Sequence, residues 1–330
     1  MIYNYCTLFE SNYLTRGLAM YESLRKHSND AFNLYILAFD RAAYDLLTAL
    51  KLPFITVISM KDFETDALKA LKKNRALNEY CWTCTPSLIK YCLDKYNLDF
   101  CTYLDADIYF FSDPSVLIKE MKSDASALIT EHRYTPQYDR TETSGVFCVQ
   151  FMTFNQTHES RLILQHWEKQ CHEWCFARYE DGKMGDQKYL DIWPEKFENV
   201  HVLQNLGGGV APWNVQQYSV EEGVDSVRCN VKQTNVDFKL IFYHFHGLRF
   251  YQFNKLSLGG EYDISPAVKK LVYKPYILHL DSIFQKYRVH YPIVPHEILK
   301  KDESWKMLFL KKIKLRKEHK NTFLKSYFLQ

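Results

Sequence analysis

No export signal and no membrane-spanning segment can be recognised in the amino-acid sequence. The first residues, MIYNYCTLFESNYLTRG, have neither a basic start nor a long apolar stretch. No segment approaches the run of about 18 uninterrupted apolar residues that a spanning helix needs. Internal repeats, low-complexity segments and a clear linker are also missing. These absences lead us to expect a single-domain protein located in the cytoplasm.

A disulfide framework is not indicated either. The nine cysteines are scattered and odd in number, so reduced thiols are expected in a chain of this size without an export signal. The pairs Cys81 and Cys84, and Cys171 and Cys175, do not have the spacing of a zinc ribbon or finger. We expect these residues to be ordinary buried or half-buried thiols.

Apolar residues make up 47% of the 330-residue chain, which excludes a disordered protein and permits a sizeable core. Aromatic residues reach 16%, which is typical of a core with amphipathic edges or of a site that stacks on bases or sugars. The net charge is only +3, although the segment 300–330 has ten basic and three acidic residues. The basic character therefore belongs to the C-terminal tail.

Apolar runs and amphipathic segments alternate along the first half of the sequence. Strands are predicted at MIYNYCTLF, FNLYILAF, PFITVIS and DFCTYLD, and helices at YLTRGLAMYESLRKH, RAAYDLLTALK and TPSLIKYCLDKY. In the last helix, Thr85 is the predicted N-cap and Pro86 the first residue. This alternation indicates an α/β fold with a mostly parallel sheet flanked by helices.

The second half is predicted to be less regular. A short helix is expected at SVLIKEMK, strands at ASALIT, GVFCVQFMTF and KLIFYHFHG, and a long helix at HESRLILQHWEKQCHEWCFARY. The region Gly182–Asn214 is predicted to consist of loops, and the pattern is mostly helical after Ser265. We therefore expect a main domain over residues 1–260 and a helical, basic extension over residues 261–330.

Two aspartates follow the fourth predicted strand. Asp105 and Asp107 are separated by the small Ala106, and alternate residues of an extended segment face the same way. Open parallel sheets bind ligands at the carboxyl ends of their strands, where two carboxylates can share a hard cation that bridges phosphate oxygens. The alternative is that one aspartate caps a turn while the other pairs with a lysine.

The segment YLDADIYFFSDP closely resembles the D-x-D segment of nucleotide-sugar-dependent glycosyltransferases of the GT-A fold. The resemblance is strongest to family 8, which includes glycogenin and bacterial lipopolysaccharide galactosyl- and glucosyltransferases. It implies a GT-A-like, Rossmann-like domain. It also implies that Asp105 and Asp107, with Ala106 between them, bind Mn²⁺ or Mg²⁺, which holds the diphosphate of a UDP-sugar.

Two further segments imply the rest of the donor site. TLFESNYLTRGLAMYESLRKHS resembles the opening strand, loop and helix of the family, where base and ribose bind. HFHG resembles the late H-x-x-G segment, whose histidine is the third metal ligand; the usual K-P-W ending is replaced by LRFYQ. By this resemblance the donor-site residues are Thr7, Phe9, Asn12, Tyr13, His244 with His246 as its rival, Gly247 and Arg249.

Two carboxylates and one imidazole suit Mn²⁺ better than Ca²⁺. The alternative for His244 and His246 is a pair of half-buried strand histidines.

The segment GKMGDQKYLDIWP resembles the D-Q segment of the family, beside the transferred sugar. The resemblance implies that Asp186 contacts the donor sugar and that Gln187 lies beneath its anomeric carbon. An amide carbonyl there can stabilise oxocarbenium-like charge. Alternatively, Asp186 is the N-cap of a helix that begins at Gln187. If the reaction inverts the sugar, Asp186 and Asp191 are the candidate bases.

Two other segments are expected near the sugar or the acceptor. ETSGVFCVQF takes the place of the family's N-A-G stretch and keeps only Gly145, so the identity of the sugar does not carry over. NLGGGVAPWNV resembles a later loop and implies roles for Trp213 and Asn214. The triple glycine in that loop lacks the G-x-G-x-x-G spacing and is expected to permit close backbone approach or a mobile lid.

The resemblance implies a metal-dependent glycosyltransferase that uses a nucleotide sugar and retains the anomeric configuration. We expect it to act on a glycan or lipid-linked acceptor in surface polysaccharide or lipopolysaccharide synthesis. One alternative is a catalytically degenerate sugar-nucleotide-binding protein, because two family segments have changed. A D-x-D phosphatase is the other alternative, although that chemistry requires the motif on the first strand.

The basic tail has two interpretations. It interleaves charges with aromatic residues, and this pattern suits an interfacial helix that docks on an anionic membrane surface. A solvated terminal helix is the other interpretation. Nucleic acid is not an expected partner, because the remainder of the chain is net negative and no base-stacking motif accompanies the tail.

Overall fold

The computed structural model of the chain describes residues 1–288, apart from residue 123 and residues 252–254, together with the backbone of two short strands farther on. The strands, numbered β1 to β16 in chain order, are Tyr3–Phe9, Phe32–Ala38, Ile55–Ser59, Phe100–Leu104, Ile108–Phe110, Ala127–Glu131, Phe147–Asn155, Val200–Val202, Tyr218–Gly223, Ser226–Val231, Asp237–Lys239, Phe242–His244, Leu248–Tyr251, Lys255–Leu258, Ile298–Leu299 and Thr322–Leu324.

The helices, numbered α1 to α11 in chain order, are Leu14–His27, Arg41–Leu50, Met60–Phe63, Asp66–Lys72, Leu77–Lys95, Ser115–Ile118, Thr141–Ser144, His158–Glu173, Trp193–Lys196, Pro266–Val268 and Lys274–Tyr287. A π-helical turn, Lys269–Tyr273, joins the last two helices. None of the helices in the described part of the chain is long and apolar enough to cross a membrane.

The central sheet has the strand order β3-β2-β1-β4-β7-β6-β8. Neighbouring strands are parallel except for β7, which runs antiparallel to both β4 and β6. Every residue of β1 is buried, as expected for a strand covered on both faces. The structure confirms the predicted α/β class with a mostly parallel sheet. Because β1 and β4 are parallel neighbours, their carboxyl ends lie side by side at one edge.

Helices cover both faces of this sheet. Successive strand side chains point to opposite faces, so Tyr5 belongs to the core beneath α1 and α2, and Cys6 to the core beneath α5 and α8. α11 packs against α1 on the first face, where His279 is 2.8 Å from Glu22 and 3.1 Å from the hydroxyl of Tyr109. The chain after β14 thereby becomes part of the first core.

The predicted start of the fifth helix was wrong. α5 begins at Leu77, so Pro86 lies inside the helix and Thr85 is not its N-cap. The backbone N–H of Ala76 donates to the Glu79 carboxylate at 2.8 Å, which fixes the true N-terminus. Proline removes one helical hydrogen bond, yet buried residues on both sides of it hold the helix together through tertiary packing.

Short strands build the side of the domain next to the carboxyl ends of β1 and β4. β5 pairs antiparallel with β12, and β9, β10 and β11 form a separate antiparallel sheet. β13 and β14 form a hairpin; β15 joins it parallel to β13, and β16 joins it antiparallel to β14. The segment 261–330, predicted to be a helical extension, therefore contributes strands as well as helices to the fold.

Candidate active site

The two aspartates lie where β4 ends, and their backbone is fixed from two sides. The N–H of Asp105 donates to the carbonyl of Gln150 on β7 at 3.0 Å. The carbonyl of Asp107 accepts from the N–H of Phe245, just after β12, at 2.9 Å. Ala106 is buried between them. The two carboxylates are thus held by strands that are far apart in the sequence.

His244 completes this group. In the pairing of β5 with β12, His244 lies opposite Ile108, directly after Asp107. Its Nε2 is 3.1 Å from an oxygen of Asp107 and 3.7 Å from an oxygen of Asp105. One ligand atom from each of the three residues lies within 4.8 Å of the other two. His246 is exposed and does not belong to the group, so the structure favours His244 of the two predicted candidates.

The tautomer of His244 is set by Gln150. The Nδ1 of His244 is 2.8 Å from the side-chain oxygen of Gln150, and an amide oxygen only accepts hydrogen bonds. Nδ1 therefore carries a proton, and Nε2 can present its lone pair toward the carboxylates. Two carboxylates and such a nitrogen fit Mn²⁺ or Mg²⁺.

The charged groups of Asp105, Asp107 and His244 shift one another's pKa values. Burial, together with the nearby Asp107 carboxylate, raises the pKa of Asp105 to about 6. Burial opposes ionisation of Asp107 as well, but the neighbouring His244 lowers its pKa below the usual value, with a smaller contribution from Arg16. Burial alone would lower the pKa of His244. The Asp107 carboxylate raises it by more, so the pKa of His244 lies above its usual value. A divalent cation would take the place of the shared proton.

Gln150 was missed by the sequence reasoning. It is fully buried in β7, and its side chain and its carbonyl contact His244 and Asp105 respectively. The available signal was a single amide inside the apolar run GVFCVQFMTF. A buried polar side chain in such a run needs a partner, and that requirement points to a site.

Asp186 approaches the carboxylates from another loop. It is only 5% exposed, and burial together with the Asp105 carboxylate raises its pKa to about 8. Its carbonyl accepts from the indole N–H of the buried Trp167 at 2.8 Å. The predicted N-cap role does not apply, because Gln187 occupies the N-cap position of a 3₁₀ turn at Lys188–Ile192.

Gln187 is oriented by the segment that replaces the family's N-A-G stretch. Its side-chain N–H₂ donates to the carbonyl of Ser144 at 2.8 Å, which leaves the amide oxygen on the opposite side. Gly145 follows with φ of +96°, a conformation that side chains rarely adopt. The sequence had indicated Gln187 and Gly145 as site residues, but not the hydrogen bond from Gln187 to Ser144.

Asp191 has a structural role rather than that of a base. One of its oxygens accepts from the N–H of Val146 and the other from Lys188, both at 2.8 Å. A Cβ at Gly145 would lie 2.9 Å from Asp191, so the glycine lets this carboxylate approach. Asp191 therefore fixes the backbone just before β7, beside Gln187.

Trp82 of α5 was also missed. A Cβ at Gly185 would lie 3.5 Å from its ring, so the half-buried indole packs directly beside the Asp186 loop. Gly185 has φ of +54°. The misplaced start of α5 had put Trp82 outside the helix, which hid this contact.

Trp213 and Asn214 form the wall behind the histidine. The indole N–H of Trp213 donates to the carbonyl of His132 at 2.8 Å, and its ring centroid is 5.3 Å from that of His244. Asn214 is buried, and its amide binds the backbone of His132, Gly209 and Ala211 at 2.8 to 2.9 Å. Asn214 thereby holds the loop that carries Trp213.

The opening segment reaches the same edge of the sheet. Thr7 and Phe9 are buried, and the Phe9 ring packs so closely on Gly17 that a Cβ there would clash with it. The side chain of Phe9 therefore belongs to the core. Asn12 donates to the Glu10 carboxylate at 2.9 Å, and Tyr13 is half-buried.

Gly247 and Arg249 follow His244. Gly247 turns the chain into β13 with φ of +72°. Arg249 is exposed, whereas Leu248 and Phe250 on either side of it are buried, so its side chain points away from that core. Asp105 and Asp107 pair with His244 and not with Arg249, and the role of Arg249 in donor binding stays a prediction.

A second group of potential ligands lies in the other core. Cys6, Cys92 and Cys101 are fully buried, with sulfur atoms within 4.8 Å of one another. In the residues that the structure describes, the pairs Cys81 and Cys84, and Cys171 and Cys175, take part in no such group. The thiols pack among apolar side chains.

The chain was compared with known proteins. No family model matches it. The uncharacterized protein YfnD of Bacillus subtilis (strain 168) is 32% identical over 298 residues, which cover 88% of this chain and 92% of YfnD. The uncharacterized protein YfnF of the same organism is 29% identical over 263 residues, covering 77% and 84%.

Solved structures give the fold. The galactosyltransferase LgtC in complex with donor and acceptor sugar analogues superposes with a TM-score of 0.52 at 12% identity, covering 88% of this chain and 99% of that one. The bifunctional glycosyltransferase WbbM, in its apo form, superposes with a TM-score of 0.50 at 11% identity, covering 86% and 51%. The central sheet and its flanking helices have the GT-A fold. By its sequence, the chain belongs to the family of YfnD.

Proposed function

We propose that this protein is a divalent-metal-dependent glycosyltransferase that moves a sugar from a nucleoside-diphosphate sugar, in the first place a UDP-sugar, to a glycan or lipid-linked acceptor. The observation that carries the proposal is the group of Asp105, Asp107 and His244 at the carboxyl end of β4, with ligand atoms within 4.8 Å of one another. The likeness of the fold to glycosyltransferases is consistent with it.

In this proposal Asp105, Asp107 and His244 hold Mn²⁺ or Mg²⁺. The ion, when bound, neutralises charge on the diphosphate that leaves the sugar. Gln150 keeps the Nε2 of His244 directed at the ion through the hydrogen bond at Nδ1. The 3₁₀ turn Ser11–Tyr13, with Asn12 and Tyr13, forms the loop region that would provide the surface for base and ribose.

The sugar would lie between the metal ligands and the loop that carries Asp186 and Gln187. Ser144 holds the amide of Gln187 so that its oxygen can face developing positive charge at the anomeric carbon. The buried Asp186 would accept or donate a hydrogen bond to a sugar hydroxyl. Gly145 and Trp213 would line the same space.

Retention of configuration is the stereochemical part of the proposal. An inverting enzyme needs a carboxylate base on the acceptor side. Asp191 does not qualify, because a lysine and a backbone N–H occupy both of its oxygens. Burial, together with the Asp105 carboxylate, raises the pKa of Asp186 to about 8, so its carboxyl is mostly protonated at pH 7 and cannot accept the proton. The departing phosphate oxygen would then take the proton of the incoming hydroxyl.

We also propose that the protein acts in surface polysaccharide or lipopolysaccharide synthesis, on the cytoplasmic side of a membrane. The membrane-docking hypothesis concerns the basic tail from residue 300 onward, which lies outside the described residues except for the backbone of β16. Binding of the tail to anionic vesicles is the corresponding test.

The experiment is a donor panel. Release of the nucleoside diphosphate or monophosphate is measured from UDP-, GDP- and CMP-sugars with and without Mn²⁺, for the wild type, Asp107→Asn and the surface control Asp45→Asn. Asp45 pairs with Arg41 on an exposed helix face. Mn²⁺-dependent release from one donor, lost in Asp107→Asn and kept in Asp45→Asn, supports the transferase.

Two other outcomes would replace the proposal. Tight binding of a sugar nucleotide without any turnover would indicate a degenerate binding protein. Release of inorganic phosphate from simple phosphomonoesters, without release of nucleotide from any donor, would indicate a phosphatase.

A further inference from the structure

A buried arginine lies in the first turn of α1. Arg16 is only 6% exposed, although arginine is rarely buried without a charged partner. Its Nη2 donates to the carbonyl of Leu248 at 2.6 Å. Its guanidinium carbon is 4.5 Å from the ring centroid of Tyr13 and 5.9 Å from that of Phe250. The charge is therefore held in a defined place by one backbone oxygen and two rings.

The hydrogen bonding of Arg16 is incomplete. Its Nε is buried, and no acceptor in the described part of the chain binds it. Within the same residues, Asp105 and Asp107 pair with His244 and not with the guanidinium of Arg16. Burying a guanidinium without an anionic partner is unfavourable, because the lost hydration is only partly replaced. An anionic ligand would supply the missing partner.

The position of Arg16 indicates which anion. Tyr13, which it covers, belongs to the proposed base and ribose loop. Leu248, which it binds, comes four residues after His244. Arg16 thus stands between the nucleoside side and the metal side of the proposed site, and a diphosphate joins these two parts of a nucleotide.

The net charge of the proposed site also points to a diphosphate as the ligand of Arg16. Asp105 and Asp107 together balance one divalent cation, so the negative charge of a diphosphate requires a further cation. Arg249, which stands near the family's lysine position, is exposed on the other face of β13. Arg16 is better placed, and its planar fork can give phosphate oxygens two parallel hydrogen bonds.

We propose that Arg16 binds the diphosphate of the nucleotide donor and supplies the positive charge that the missing K-P-W lysine would otherwise provide. This inference rests on the proposed function. The contrary view is that Arg16 only fastens α1 to β13 through Leu248, in which case its loss would change stability and leave phosphate recognition unaffected.

The test compares UDP with uridine. Binding of each is measured by calorimetry with Mn²⁺ present, for the wild type, Arg16→Met, Arg249→Met and Arg25→Met. Arg25 is an exposed arginine on the same helix and serves as the matched control. We expect Arg16→Met to weaken UDP binding about 10- to 100-fold, as for loss of a charge-assisted hydrogen bond, and to leave uridine binding within about twofold. Arg25→Met and Arg249→Met should bind UDP like the wild type.

Thermal unfolding of each variant shows whether it is folded. If Arg16→Met does not fold, Arg16→Lys is used, since it keeps the charge but lacks the fork, and a selective loss for UDP is again expected. Unchanged UDP affinity in a folded Arg16 variant, equal losses for UDP and uridine, or a loss confined to Arg249→Met would overturn the inference alone. A wild type that binds none of UDP, GDP and CDP with Mn²⁺ would overturn the proposed function as well.

Discussion

Substitution of Gln150 by leucine tests whether this residue orients His244 toward the proposed metal ion. Gln150 is fully buried, and its side-chain oxygen accepts the Nδ1 proton of His244 at 2.8 Å. Leucine has a similar size but no acceptor. The hydrogen bond from Asp105 to the carbonyl of residue 150 uses the backbone, so it survives the substitution.

The size of the effect follows from the lost acceptor. A buried donor left without a partner costs about 1 to 3 kcal/mol. The imidazole of His244 can avoid part of this penalty by rotating or by moving its proton to Nε2. After either change, the lone pair of Nε2 is no longer available to the ion. Loss of such a supporting contact lowers metal affinity about 10- to 100-fold, which is equivalent to about 1.4 to 2.7 kcal/mol.

The measurement is a Mn²⁺ titration by calorimetry, together with thermal unfolding in the presence and absence of Mn²⁺. Gln165→Leu, on the exposed side of α8, is the matched control and should bind Mn²⁺ like the wild type. Gln150→Glu restores an acceptor for Nδ1, so we expect its affinity to recover to within about tenfold of the wild type. A folded Gln150→Leu protein with unchanged Mn²⁺ affinity would show that Gln150 does not orient His244.

Three further outcomes are expected. Gly145→Ala should lower the free energy of unfolding, measured by urea titration, by about 1 to 3 kcal/mol, because φ is +96° and the new Cβ would lie 2.9 Å from Asp191. Gly182→Ala, at φ of +74° but with open space around it, should lower the free energy of unfolding by less. Burial lowers the pKa of His132 to about 3, so only the unfolded state takes up a proton below about pH 6.5. The free energy of unfolding should therefore fall by about 2 kcal/mol between pH 7 and pH 5 through this residue, and His132→Gln should flatten the slope; an equally steep slope in that variant would contradict the assignment. Trp167→Phe removes the indole donor to the Asp186 carbonyl and should lower kcat for sugar transfer more than Mn²⁺ affinity; equal losses in both would place the effect elsewhere.

The features that sequence predicted well depend on local pattern. The strands β1 to β4 follow from apolar runs separated by amphipathic helices, and the position of Asp105 and Asp107 follows from the end of β4. The start of α5 could not be predicted in this way. Pro86 has a strong local preference for the first turn, and only tertiary packing, together with the cap at Glu79, overrides it.

The contacts that build the site are mostly long-range. His244 reaches Asp107 because β12 pairs with β5, and each of these strands has only three residues. The strand predicted at KLIFYHFHG contains β12, but nothing in the local pattern pairs it with β5. Resemblance to a family was therefore the guide to this partner. Ser144, which holds Gln187, was named only as a departure from the family's pattern.

Gln150 and Arg16 show why buried polar residues deserve a separate search. Each interrupts an otherwise apolar or amphipathic element that sequence reasoning assigned correctly, so each was treated as part of the scaffold. A polar group inside a core must find a partner, and the cost of leaving it unpaired exceeds the benefit of most single packing contacts. Such residues persist where the partner matters: for Gln150 it is a histidine that must face a cation, and for Arg16 an anion that arrives with the substrate.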